Sequence, residues 1–328
     1  MVPKITLLIP CYNEAVILKR KIKNCLELSY PQIKEIVVID DFSSDKTAQI
    51  ARALARENPK ITFLSNRFKK GKTGAVLTGI KHAKTDLICL SDVDVLLEKG
   101  SLEKMASFFQ DPKIGIVGGA LKPVFFNPET KQYLDGRGLW DKAFDQIKTI
   151  ISKIDSLPLQ HGQFIIIKKS LGVFPQAGVQ ADDIDLAIRT RLKGFRSVLA
   201  PESFFWQEIT DKNDFGKRSR RDQGTIKILW HYKNLLFNPR LGKFGLICYP
   251  ACFFLFFLQP FLFFLLAILI FLALPLPLML VYLLAIFSIT FLRNFFYFNL
   301  ITILSMIKVL FFKGKIADSW DTQRVDKK

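Results

Sequence analysis

Three short acidic clusters stand out for what they can do beside a phosphorylated substrate. Asp92-Val93-Asp94 sets two carboxylates one residue apart, directly after the apolar run Leu87-Ile88-Cys89-Leu90 and Ser91. Carboxylates repel a nucleoside diphosphate unless a cation lies between them. Hard divalent ions such as Mg²⁺ or Mn²⁺ take oxygen ligands from both sides and act as Lewis acids on a departing diphosphate. A second pair, Asp40-Asp41, ends the apolar run Ile36-Val37-Val38-Ile39 and precedes Ser43, Ser44, Asp45 and Thr47. These oxygens suit the N–H and hydroxyl groups of a base or ribose, and they equally suit capping of the next helix. Asp182-Asp183-Ile184-Asp185 is the third cluster. A sugar hydroxyl attacking an anomeric carbon must lose its proton, and a positioned carboxylate that takes it contributes about 10²–10⁴-fold. Like charges side by side raise the pKa of one member. The plainer account is a helix start favouring acids through the macrodipole.

Basic residues complete the inventory. Phe68-Lys69-Lys70-Gly71-Lys72-Thr73-Gly74 has the look of a phosphate loop but not the G-x-x-x-x-G-K-[ST] spacing. A basic, glycine-containing turn that opens a helix still suits a diphosphate. Lys217-Arg218-Ser219-Arg220-Arg221 suits phosphates or lipid headgroups. The net charge of +18 attracts nucleic acid, anionic lipid or phosphorylated substrates. Basic residues lie thickest at Lys212, Lys217, Arg218, Arg220 and Arg221, just ahead of a long apolar block. That is where the positive-inside rule places them, so the reading favours membrane lipids and excludes nucleic acid as partner.

The elements that must position these groups follow from periodicity. Ile5 to Ile9, Ile36 to Ile39, Ile61 to Leu64 and Leu87 to Leu90 read as strands, separated by helical patterns at about 14–28, 45–58 and 74–83. That alternation predicts an α/β fold with a parallel, doubly wound sheet, whose ligands lie outside the strands' carboxyl ends. Both Asp40-Asp41 and Asp92-Val93-Asp94 sit at such ends. Further on, 101–110 reads as a helix, 114–119 and 163–168 as strands, 182–193 as a helix ending before Gly194, and 198–200 as a last strand. The pattern at 225–237 suits a helix in a membrane interface.

From Phe244 to Phe312 the only formal charges are Arg293 and Lys308. A bilayer core about 30 Å thick needs roughly 20 apolar residues per helix, so the block has room for two or three spans. Candidates are 244–271, 276–292 and 295–312, the last crossing or lying in the interface. The chain opens without a signal-peptide pattern, and its five cysteines form no short-spaced metal motif or disulfide framework. The expectation is a multi-pass protein of the inner or plasma membrane with a cytoplasmic catalytic domain.

Together these segments resemble family 2 glycosyltransferases, which have a GT-A fold. Pro10-Cys11-Tyr12-Asn13-Glu14 is similar to that family's P-x-Y-N-E start, and Asp40-Asp41-Phe42-Ser43-Ser44-Asp45-Lys46-Thr47 to its D-D-x-S-x-D-x-T segment. Gly71-Lys72-Thr73-Gly74-Ala75 resembles its G-K-x-x-A turn, Asp92-Val93-Asp94 its metal-binding D-x-D, and Asp182-Asp183-Ile184-Asp185-Leu186 with Arg189 and Gly194 its E-D-x-D-L…R…G segment.

The resemblance implies a GT-A, Rossmann-like mixed sheet with helices on both faces over 1–205. A basic interfacial segment at 206–243, a transmembrane region at 244–312 and a polar tail at 313–328 follow. It implies inverting transfer from a nucleotide sugar, with a UDP-sugar the leading expectation, to a hydroxyl of a glycan or lipid-linked acceptor. Asp183 would be the base, and Pro10, Tyr12, Asn13, Glu14, Asp41, Lys72 and Asp92 would bind donor. Asp94 with Asp92 would hold Mg²⁺ or Mn²⁺. Asp182, His161, Lys217, Arg220 and Arg221 would face the acceptor or diphosphate.

The Q-x-x-R-W of membrane polysaccharide synthases reads Lys217-x-x-Arg220-Arg221 here, and losing the flat tryptophan argues against processive polymerisation. The tail Ser319-Trp320-Asp321-Thr322-Gln323-Arg324 resembles the W-x-x-T-x-R tail of such synthases, with one residue fewer between Trp and Thr. A polyprenyl-phosphate acceptor and a non-catalytic nucleotide-sugar-binding partner are the alternatives. The first needs less of a base, and the second needs none.

Overall fold

The computed structural model describes residues 2–127, 132–176, 178–208, 215–275, 277–279, 281–282 and 290–311. They fall into two units, one of Met1–Gly136, Asp155–Thr210 and Ala317–Lys328, the other of Arg137–Ile154 and Asp211–Ile316.

The first unit is built on one sheet. Strands β1 (Ile5–Cys11), β2 (Ile33–Asp40), β3 (Ile61–Ser65) and β4 (Leu87–Ser91) run parallel in the order β3-β2-β1-β4. Between them run helices α1 (Leu18–Leu26), α2 (Thr47–Glu57) and α3 (Lys72–His82). The uninterrupted apolar run of β2 is buried on both faces, as a helix-covered parallel strand requires. Successive side chains point to opposite faces, so Ile36 and Val38 join the cluster around α1 and α2. Val37 and Ile39 instead join Ala75, Val76 and Ile80 of α3.

Beyond β4 the parallel expectation stops. In chain order come β5 (Val95–Leu97), α4 (Ser101–Ser107), β6 (Ile114–Asn127), β7 (Gln132–Asp135), α5 (Leu139–Ile154), β8 (Phe164–Lys168), α6 (Asp182–Leu192) and β9 (Arg196–Glu208). Strand β8 inserts antiparallel between β4 and β6, β9 runs parallel to β6, and β5 pairs antiparallel with β9. The result is the mixed sheet of the family resemblance rather than the all-parallel one of periodicity.

Two helix ends are instructive. α1 begins at Leu18, four residues after the expected start, and the amides of Glu14 and Ala15 ahead of it go to Thr47 Oγ1 and Asp45 Oδ2 at the opening of α2. α6 stops at Leu192, and Gly194 follows at φ 88°, the left-handed conformation that glycine adopts without penalty at a helix end.

The second unit is helical. α5 was not foreseen from sequence, although Trp140, Phe144, Ile147, Ile151 and Ile154 recur at the three-to-four-residue spacing of a helix. It is joined by α7 (Phe215–His231), α8 (Tyr249–Phe257), α9 (Gln259–Ala273) and α10 (Thr290–Phe311). The interfacial helix expected over 225–237 starts instead at Phe215 and takes the basic cluster into its first turns. α7 and α10 run antiparallel along a polar seam. Ser219 and Ser305 hydroxyls lie 3.0 Å apart, and Thr302 Oγ1 donates to Asp222 Oδ2 at 3.1 Å. Burial pushes the Asp222 carboxyl up to about 6 against the pull of Arg218.

Among the described residues one helix, Leu292–Phe311, is long and apolar enough to cross a membrane. The pair Phe244–Phe257 and Gln259–Ala273 passes the same test only if its 52° bend is taken as part of one span. Along α9 only Pro260 is buried. Most of the expected span at 276–292 lies outside the described residues, as do Lys212, the Trp320–Arg324 segment and the rest of the polar tail.

Candidate active site

The site gathers where β4 ends and α3 and α6 begin. Asp92 leaves β4 with its N–H donated to Gln163 O at 3.0 Å. Val93 turns into the core at 5% exposure, which fixes the turn and leaves the two flanking carboxylates outside it. Lys72 opens α3 and donates from Nζ to Asp92 Oδ1 at 2.6 Å. Burial on its own lowers the Lys72 pKa, but the Asp92, Asp182 and Asp183 carboxylates hold the ammonium above its ordinary value. Burial pushes Asp92 up, Asp94 adds to the push and Lys72 opposes it. Asp94 is exposed and accepts a hydrogen bond from Gln207 Nε2 at 3.0 Å.

The opening of α6 supplies the other two acids. Asp183 Oδ2 accepts from the Gly162 N–H and Oδ1 from the Ile184 N–H, both at 2.9 Å. A Cβ on residue 162 would come within 3.0 Å of Asp183 Cβ, so glycine is what lets that backbone reach the carboxylate. Burial raises the Asp183 carboxyl, and the two amides and Lys72 pull it back. Burial also pushes Asp182 up to about 6, with Asp183 and Asp92 adding and Lys72 opposing. Asp185 instead belongs to the fold: it is buried and takes Arg189 Nε at 2.7 Å. His161 meets the Phe205 ring edge-on at 6.1 Å between centroids.

A second group forms at the carboxyl ends of β1 and β2. Pro10 is buried within β1, opposite Ile39. Asn13, at φ 52°, donates its N–H to Ser43 Oγ and accepts from the Ser44 N–H. Glu14 is buried. Lys70 Nζ reaches Tyr12 OH at 3.0 Å and lies 4.3 Å from its ring centroid. Asp41 has no exposed surface: Oδ1 accepts from Asn66 Nδ2 at 2.6 Å and Oδ2 from the Gly71 N–H at 2.8 Å. Gly71 has φ 134°, which glycine tolerates and other residues do not. Asp41 therefore holds the basic turn from beneath, beside whatever contact it makes to a donor.

The structure thus brings Lys72, Asp92, Asp182 and Asp183 together and sets Tyr12 and Asp41 against the Lys70-Gly71 turn, with Asn13 on the neighbouring Ser43-Ser44 turn. Arg220 and Arg221 belong to the second unit, and the side chain of Lys217 lies outside the described residues. Sequence reasoning missed Lys70 as a partner of Tyr12, although it quoted the turn, and missed Gln207, which reaches Asp94 only because β9 pairs with β5. Among the described residues no three His, Cys, Asp or Glu side chains gather as a metal-binding group. Asp92 and Asp94 still fit a hard divalent ion whose other ligands are phosphate oxygens and water, since both are oxygen donors on one turn.

Comparison with known proteins agrees with this geometry. Poly-beta-1,6-N-acetyl-D-glucosamine synthase of Staphylococcus aureus (strain COL) is 27% identical over 216 residues, covering 63% of this chain and 50% of the relative. Probable glycosyltransferase YdaM of Bacillus subtilis (strain 168) is 27% identical over 284 residues, covering 78% and 63%. The chain thus spans about half of the first relative's length and under two thirds of the second's. Mannosyltransferase PcManGT from Pyrobaculum calidifontis, solved with GDP-Man and Mn²⁺, shares the fold at a TM-score of 0.77 and 22% identity, covering 96% of this chain and 89% of that one. S. aureus TarS 1-349 shares it at 0.52 and 15%, covering 77% and 72%. Residues 6–172, just over half the chain, match the Glycosyl transferase family 2 model. That match takes in Tyr12, Asp41, Lys72, Asp92 and Asp94, and the chain, with its GT-A fold, belongs to glycosyl transferase family 2.

Proposed function

We propose that this protein transfers a sugar, with inversion, from a nucleotide-sugar donor to a hydroxyl of a glycan or glycolipid acceptor at a membrane. The observation that carries the reading is the Lys72 ammonium held among Asp92, Asp182 and Asp183. A cation stands where a diphosphate would leave, beside carboxylates able to take a proton. In the transfer the acceptor oxygen bonds to the anomeric carbon as the bond from that carbon to the phosphate oxygen breaks. The hydroxyl proton passes to Asp183, whose carboxylate the Gly162 and Ile184 amides aim, and the bonding pair leaves with the diphosphate. Lys72 meets the charge that develops there, the kind of electrostatic stabilisation that dominates such reactions. A divalent ion held by Asp94 and Asp92 would supply Lewis-acid chemistry to the same leaving group.

The relatives support the substrate class. One is named a synthase of poly-beta-1,6-N-acetyl-D-glucosamine, and a structure of the same fold was solved with GDP-Man and Mn²⁺. Helix α10 and the lipid-like exposure of α9 support membrane attachment through the second unit.

The deciding experiment supplies detergent-solubilised protein with a panel of labelled nucleotide sugars, UDP-sugars first, and measures transfer to glycan and glycolipid acceptors with and without EDTA. Metal-dependent transfer from one donor is expected. Full activity in EDTA would remove the ion from the reading, and no transfer from any donor would remove the reading itself.

A further inference from the structure

Lys21 has no exposed surface. It lies on the buried side of α1 with Leu18, Ile22 and Cys25, where the pattern of the helix calls for an apolar residue. A buried ammonium is costly unless its N–H groups are hydrogen-bonded, and an unbranched apolar side chain such as methionine fills similar space without that cost. The partners of Lys21 show what the charge is set against. Its Nζ donates to Ser91 Oγ at 2.6 Å and to Val95 O at 2.7 Å. Ser91 is the residue before Asp92, and Val95 is the residue after Asp94.

One ammonium therefore ties both ends of the Asp92-Val93-Asp94 turn, while Val93 anchors its middle in the core. Neither contact is made by the carboxylates, which face away from the tie, Asp92 toward Lys72 and Asp94 toward Gln207. Burial pulls the ammonium below its ordinary pKa, and Cys25, Cys89, Asp92 and Asp94 pull it back. This tie joins α1 to two separate strands, since Ser91 closes β4 and Val95 opens β5. Backbone hydrogen bonding could not make that link, because β4 pairs with β1 and β8 whereas β5 pairs with β9. The Asp92 N–H to Gln163 O bond holds the start of the turn, and Lys21 joins that start to its far end.

We infer that Lys21 is a positioning residue for the donor site, stapling the turn so that Asp92 and Asp94 are presented together to one cation and its diphosphate. The inference rests on the reading of Asp92 and Asp94 as the metal-holding pair. Two effects oppose each other. The staple strengthens cation binding by ordering the ligands in advance, whereas the positive charge weakens it by repulsion. Outer-shell partners that orient ligands are typically worth about 10–100-fold in metal affinity, and the staple is placed ahead of the charge on that ground.

The test is an EPR titration of Mn²⁺ in the presence of UDP with the full chain in detergent, read as loss of the free-ion signal, alongside the thermal midpoint. Ser91→Ala keeps the ammonium and removes one of its two anchors. It is expected to weaken Mn²⁺ binding several-fold, and Lys21→Met by about tenfold or more, with Lys21→Arg between wild type and Lys21→Met. If Lys21→Met does not fold, Ser91→Ala decides. Unchanged Mn²⁺ affinity in Ser91→Ala and Lys21→Met, with lowered thermal midpoints, would make Lys21 a structural residue only and overturn the inference. Tighter binding in Lys21→Met would overturn it too, by showing that repulsion outweighs the staple. A wild-type chain that binds no Mn²⁺ removes the metal reading and this inference with it, an outcome distinct from either of the others.

Discussion

The ends of β2 and β4 look alike in sequence, each an apolar run closed by paired or spaced aspartates, yet the fold uses them differently. At β2, Asp41 is fully enclosed, and both of its oxygens are taken by Asn66 and the Gly71 amide. At β4, Asp92 keeps about a quarter of its side-chain surface and faces an ammonium, while Asp94 is exposed. Asp41 at the first end is finished by the protein's own donors. The second has one cation, Lys72 on Asp92, and a neutral amide, Gln207 on Asp94, for several carboxylates, so it is left short of positive charge. Acid pairs at strand ends therefore divide into those that build a pocket wall and those that face the ligand, according to how many protein donors reach them.

This contrast can be sharpened or broken by substitution. The largest effect is expected at Asp183, beside the β4 end: Asp183→Asn should lower kcat by about 10²–10⁴-fold while donor still stabilises the protein in a thermal-shift assay. Wild-type turnover in that variant would take the base away from Asp183. Lys72→Met should cost roughly 10²-fold in kcat with a smaller change in KM. A variant altered in KM alone would make Lys72 a binding residue and not a charge stabiliser in the transition state.

At the β2 end the expected readout is different. Asp41→Asn leaves one carbonyl oxygen where two acceptors stood, so either Asn66 or the Gly71 amide loses its partner. A loss of about 1–3 kcal/mol of stability, seen as a lowered thermal midpoint with kcat nearly intact, is the outcome that keeps the two ends distinct. An unchanged midpoint with a collapse in donor affinity would make them alike.

The smallest effect concerns Asp182. Its carboxyl is raised from 3.8 to about 6, so the folded protein binds that proton more tightly than the unfolded chain does. Stability then falls as pH rises from about 4 to 6, and the cost of the ionised group is fully present above that range. Asp182→Asn should accordingly stabilise the protein at pH 7.5, by about 1 kcal/mol or less, and the gain should vanish near pH 4. An equal gain at both pH values would show that packing, not charge, is responsible.

How much of this was legible varies by region. β1, β2 and β4 could be read because a strand buried on both faces needs a near-continuous apolar run, and their order in the chain placed the acids at carboxyl ends. β6 could not be read to its full length, since its fourteen residues include Gly118, Gly119 and Pro123, which normally punctuate strands. Gly118 is there because a Cβ would come within 2.0 Å of Gln160 Oε1, a close approach visible only once distant segments have met.

By itself the sequence determined which groups exist and in what order along the chain: nucleotide-side acids, basic turn, spaced aspartates, acidic helix start, apolar block. Period and composition are local properties, and local physics is enough to recover them. Only the tertiary structure decided what each aspartate meets. Whether a carboxylate is enclosed like Asp41, ion-paired like Asp92, aimed by a glycine amide like Asp183 or exposed like Asp94 depends on donors supplied by segments far away in the chain. Lys21 shows the same limit, because a lysine on an apolar helix face has no evident purpose until Ser91 and Val95 are brought within hydrogen-bonding distance of it.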